Sequence, residues 1–61
     1  MYPHELMEFI NSRNGKLTSK EANIAVDVKE NPQLNHITYN SYSNSYDMWD
    51  YEGNYYHFEM K

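Results

Sequence analysis

Residues 45–61 read SYDMWDYEGNYYHFEMK, and the way this stretch turns back on itself decides the architecture. It holds the only Trp, four of the seven Tyr and one of the two Phe of a 61-residue chain, with four carboxylates set among them: Asp47, Asp50, Glu52 and Glu59. Two runs of alternating character flank Gly53, the pattern of a β-hairpin. A type I turn over Asp50-Tyr51-Glu52-Gly53, with Gly53 left-handed in the bulge position, sets Asp50 opposite Asn54. Trp49 then faces Tyr55, Met48 faces Tyr56, Asp47 faces His57 and Tyr46 faces Phe58. One side of the ribbon becomes Tyr46, Met48, Tyr56, Phe58 and Met60, apolar throughout. The other becomes Asp47, Trp49, Tyr55, His57 and Glu59. A two-residue turn at Glu52-Gly53 would instead set Asp47 against Phe58 and Met48 against His57. Such a slip mixes the faces, so the bulged turn is expected.

Working outward, LNHITYNSY (34–42) alternates Ile37 and Tyr39 with His36, Thr38 and Asn40, as a third half-buried strand would. YSNS (42–45) is a turn cluster. Further upstream the period lengthens. In YPHELMEFINSRNG (2–15), Leu6, Phe9, Ile10 and Arg13 recur at helical spacing, with Met7 on the shoulder of the stripe. Pro3 suits a first turn, Glu5 and Arg13 complement the macrodipole, and Asn14-Gly15 stops the helix. A helix is expected over 3–13. LTSKEANIAVDVKENP (17–32) opens with the capping box Thr18/Glu21, with Leu17 placed to staple onto Ala22. Ile24, Val26 and Val28 alternate as in a strand, so residues 22–29 carry a competing signal. The cap and the i, i+4 pair Ile24/Val28 beside Ala22 and Ala25 favour a helix over 19–30, bounded by Pro32.

The expected fold is therefore one α+β domain over residues 1–61, with two short N-terminal helices packed on a three-stranded antiparallel β-meander (ααβββ). The helices should cover Ile37, Tyr39, Tyr46, Met48, Tyr56 and Phe58. At this length a single apolar core is close to the minimum that holds a fold. The chain has no Cys, so neither disulfides nor a thiolate zinc site can reinforce it. Self-association is the remaining route, and a two-fold homodimer is expected because that symmetry is commonest.

The net charge of −4 is placed unevenly. Residues 1–29 balance Glu5, Glu8, Glu21 and Asp27 against Arg13, Lys16, Lys20 and Lys29. Residues 30–60 carry Glu30, Asp47, Asp50, Glu52 and Glu59 and neither Lys nor Arg. Such a surface repels a phosphate backbone, which argues against direct nucleic-acid binding. A DNA-reading helix at 19–30 is disfavoured for the same reason, since Lys20 and Lys29 stand beside Glu21, Asp27 and Glu30. No run approaches the roughly 18 apolar residues of a membrane span, and neither a basic start nor an apolar signal core follows Met1. A cytoplasmic protein with no membrane partner is expected.

No catalytic constellation is legible. His4, His36 and His57 fall on three separate elements without metal-ligand spacing; a zinc site joining them to a carboxylate is conceivable but unfavoured. His57 opposite Asp47 reads as a cross-strand pair, with no nucleophile beside it. Asp50 and Glu52 flank a turn, and DMWDYEGN lacks the ligand pattern of a calcium loop. The two Gly stand apart, so no phosphate-cradling loop exists. Neither enzyme activity, cofactor nor metal is expected.

What remains is the outward side of the hairpin. Trp49 and Tyr55 paired across strands could serve only to stabilise the ribbon. In a chain with so small a core, leaving the only indole in water is costly, and Trp and Tyr are favoured binding anchors. A protein-binding surface is expected from Asp47, Trp49, Asp50, Tyr51, Glu52, Tyr55, His57 and Glu59. The leading functional expectation is a small inhibitor or modulator of a larger host protein, acting as a homo-oligomer. Compact, acidic, cysteine-free domains of this style are common among bacteriophage and mobile-element products that block host defence. A sharper version makes the carboxylates a mimic of phosphates for a basic cleft. The alternative is an assembly protein whose aromatic face serves only self-association.

Overall fold

The computed structural model describes residues 3–61, and it is an α+β fold. Helix α1 (Pro3–Ser12) leads into a two-residue strand β1 (Lys16–Leu17), helix α2 (Ser19–Val26), and strands β2 (Leu34–Asn40), β3 (Ser45–Asp50) and β4 (Tyr55–Met60). The strands form one mixed sheet in the order β1-β4-β3-β2.

The hairpin has the expected register. Trp49 pairs with Tyr55, Met48 with Tyr56, Asp47 with His57 and Tyr46 with Phe58. Gly53 has φ +86°, its N–H donates to Asp50 O at 3.2 Å, and Asp50 N–H donates to Asn54 O at 3.1 Å. Strand β2 joins β3 antiparallel, with an irregularity between Leu34 and His36 that keeps Ile37 opposite Met48. Without that bulge, Leu34 and Ile37 would point to opposite faces.

Three expectations are corrected. The sheet is not a purely antiparallel three-stranded meander: β1 adds a fourth strand, parallel to β4, with Lys16 opposite Glu59 and Leu17 opposite Met60. Asn14 (φ 57°) and Gly15 (φ 74°) reverse the chain out of α1 and deliver Lys16–Leu17 alongside β4. There Glu59 N–H donates to Gly15 O at 2.8 Å and Lys61 N–H to Leu17 O at 2.7 Å. Leu17 is fully buried as a result. Second, α2 is shorter than 19–30, because Asp27 leaves helical geometry at the C-cap (ψ 118°). Its buried side is Ala22 and Ala25, while Val28 is 60% exposed, so the pair Ile24/Val28 is not the packing edge. Third, the helices do not cover Tyr39, which is 52% exposed. Helix α1 packs against β4 and α2 against β1, at the end of the sheet away from β2.

Leu6 and Ile10 of α1, Leu17, Ala22 and Ala25 meet Leu34, Met48, Tyr56 and Phe58 in one core. The capping box at α2 is made in both directions: Glu21 N–H donates to Thr18 Oγ1 at 3.3 Å and Thr18 N–H to Glu21 Oε1 at 3.0 Å. The other Glu21 oxygen takes Arg13 Nε at 2.5 Å, and the Arg13 guanidinium lies 4.2 Å from the centroid of the Phe9 ring. The Arg13 hydrogen bond holds Glu21 down to a pKa of about 2. Asn31, buried beyond α2, donates Nδ2 to Ala25 O at 3.1 Å and so satisfies a carbonyl at the helix end. None of the helices among the described residues is long and apolar enough to cross a membrane.

Candidate protein-binding face

Strict alternation along β3 and β4 separates the core from the outward side of the sheet. With α1 and α2 both on the inner side, Asp47, Trp49, Tyr55, His57 and Glu59 share the outer one. Trp49 is the centre of a ring row. Its centroid lies 5.4 Å from that of Tyr55 on β4 and 5.4 Å from that of His36 on β2. Both pairs are tilted, the arrangement that aromatic quadrupoles favour. His36 is not part of the binding surface expected from the sequence, where it figures only in the third strand and as a conceivable but unfavoured zinc ligand. Its signal was the meander itself: once β2 is registered on β3, His36 falls opposite Trp49.

The second row is polar and internally ordered. Tyr55 donates its hydroxyl to Asp47 Oδ1 at 2.5 Å, and His57 Nδ1 approaches the same oxygen at 2.9 Å. The Tyr55 hydrogen bond, helped by His57, holds the Asp47 carboxyl below its ordinary range; in return the carboxylate pushes the Tyr55 phenol up. Asp47 is therefore a fixed, ionised acceptor beside the indole. Glu59 completes the face across from Lys16 of β1.

Asp50 does not belong to this face. It has the parity of Met48, points inward and is only 3% exposed. Its Oδ1 accepts the backbone N–H groups of Glu52 and Asn54, each at 2.9 Å. Its Oδ2 accepts Asn54 Nδ2 at 3.0 Å and the buried Tyr56 hydroxyl at 2.9 Å. Burial raises the Asp50 pKa, but these four donors together outweigh it and the carboxyl titrates low. Burial, with Asp50 second, pushes Tyr56 up to about 12. Asp50 thus organises the hairpin turn, with both of its carboxylate oxygens already engaged. The same alternation that sorted Trp49 outward would have placed Asp50 inward.

Tyr51 and Glu52 stand exposed at the hairpin tip, apart from the ring row. Tyr51 N–H donates to Gln33 O at 3.2 Å, which ties the tip to the segment before β2. A shallow cleft there is lined by Pro32, Gln33, Asp50, Tyr51 and Glu52. Among the described residues no group of three or more His, Asp or Glu side chains gathers as a metal site. The chain matches no protein-family model, no curated protein and no solved structure.

Proposed function

We propose that the chain is a small non-enzymatic protein-binding module that modulates a larger protein by occupying one of its surfaces. The supporting observation is the outer row His36–Trp49–Tyr55, which lies on the side of the sheet away from both helices and next to the ionised Asp47. An indole flanked by a fixed carboxylate suits a cationic side chain, which gains a ring face and a hydrogen-bond acceptor together. The partner is thus a protein surface presenting Arg or Lys within an apolar surround. Two copies of this chain stacked through the same face would gather their Asp47 and Glu59 carboxylates into one interface, which disfavours self-association as the role of this face.

The test compares tagged baits in lysate of the native host. Unmodified chain, Trp49→Ala and a control at the exposed Val28→Ala are used in parallel. The proteins retained by the first and third should be missing from the second, and their retention should weaken as salt is raised. Identical retention by all three baits overturns the assignment of the face. Loss in Trp49→Ala with no salt dependence overturns the cationic partner and keeps the face.

A further inference from the structure

Strand β2 ends the sheet on one side, and we infer that this edge pairs with β2 of a second copy to form a two-fold dimer with one continuous eight-stranded sheet. Among the described residues β3 is the one strand paired with β2, so the other side of its backbone has no strand partner over His36–Asn40. An edge of this kind is normally blunted by Lys, Pro, brevity or a bulge. The sequence LNHITYN has no charged residue and no Pro, and its irregularity sits at the Leu34/His36 end, leaving His36–Asn40 in regular pairing with β3. On the opposite side of the sheet β1 is two residues long, exposes Lys16 and covers Glu59 and Met60 of β4.

Three observations favour a second copy as the occupant. Charge is the first. Within residues 30–60 all five charges are negative, and β2 is a stretch that carries none of them. Two copies can therefore approach along β2 without setting carboxylates opposite one another. Packing is the second. The helices sit over β1 and β4, and on their side of the sheet Ile37 is only half-buried and Tyr39 is 52% exposed. A two-fold axis perpendicular to the sheet at β2 keeps both helix layers on one side, so the Ile37–Tyr39 stretches of the two copies adjoin there. Closure is the third. A two-fold axis uses the same β2 edge of both copies, so the contact is isologous and pairing stops at two copies.

The arrangement would also place the two outer faces side by side on the other surface. Three strand spacings separate Trp49 from its image, roughly 14 Å across the sheet. This inference does not depend on the identity of any partner, because its test uses the chain alone.

Sedimentation equilibrium from low micromolar to sub-millimolar concentration should show a dimer of the unmodified chain. Thr38→Lys combined with Tyr39→Lys should raise the dissociation constant about tenfold or more, by opposing like charges across the new pair. Trp49→Ala should leave it dimeric. Amide exchange on the unmodified chain gives a reading that does not depend on a variant folding: amides within residues 34–40 should slow as concentration rises, and those of Lys16 and Leu17 should not. A chain that stays monomeric throughout overturns the inference. So does a dimer dissolved by Trp49→Ala but not by the lysine pair, an assembly that keeps growing with concentration, or exchange in β2 that ignores concentration.

Discussion

Replacing Asp50 with Ala tests whether the hairpin is held by a buried carboxylate. The substitution deletes four hydrogen bonds, two to backbone N–H groups and two to side chains. Glu52 and Asn54 are exposed residues, so water can replace the carboxylate at their N–H groups. The Tyr56 hydroxyl cannot be rescued in this way, because Tyr56 is 3% exposed. An orphaned buried hydroxyl costs about 1–3 kcal/mol, and hydrogen bonds to a charged group are worth about 1.5–3 kcal/mol each without being additive. The combined loss should be about 3 kcal/mol, against a total stability of roughly 3–9 kcal/mol for a chain this long. Urea unfolding followed by Trp49 fluorescence reads the change, because the indole sits next to Asp50 on β3 and is the only one in the chain. The discriminating experiment is a double-mutant cycle. Tyr56→Phe alone should cost about 1 kcal/mol, whereas in the Asp50→Ala background it should cost nothing or restore stability, because the stranded hydroxyl is gone. A loss below about 1 kcal/mol for Asp50→Ala, or equal costs for Tyr56→Phe in both backgrounds, would refute the account of Asp50 as the turn's organiser.

Two further outcomes follow from the same structure. Glu21, Asp47 and Asp50 all titrate lower in the folded chain than their ordinary values of 4.5, 3.8 and 3.8, so the stability they contribute is present above those values and is lost as pH falls through them, for Glu21 down to about 2. Tyr56 is raised from 10.0 to about 12, so its contribution is present below 10 and lost as pH climbs towards 12; thermal unfolding across pH should fall off at both ends, and a flat profile contradicts the assignments. Gly53→Ala should cost about 1 kcal/mol in denaturant unfolding, because φ is +86° and an added Cβ meets nothing within 4 Å; a neutral outcome would mean the turn is not left-handed there.

The hairpin was legible because two independent signals agreed on it. Alternation sorted the residues into faces, and Gly53 supplied the one backbone conformation that keeps the sorting intact. The capping box at Thr18 and Glu21 was legible for a similar reason, since each side chain completes the other's hydrogen bond. Strand β1 was not legible: two residues have no period, and Lys16–Leu17 is a strand only because β4 lies beside it. The extent of α2 was misjudged because Ile24 and Val28 look like a packing edge, whereas the buried side is built on the small residues Ala22 and Ala25. Small residues let the helix approach closely but leave almost no hydrophobic signal. Of the outer face of the sheet, Asp47, Trp49, Tyr55, His57 and Glu59 are recoverable from register. His36 needed β2 placed on β3, and Asp50 needed its parity weighed above its charge.

The parallel seam between β1 and β4 has a kinetic consequence. The β2–β3 and β3–β4 pairings join neighbours in the chain, but Lys16 meets Glu59 and Leu17 meets Met60 across 43 positions. Closing so long a loop carries the larger entropic penalty, so the ribbon of β2, β3 and β4 should form ahead of the seam. Unfolding that retraces this order should part the seam first and expose the fully buried Leu17 while the ribbon is still intact.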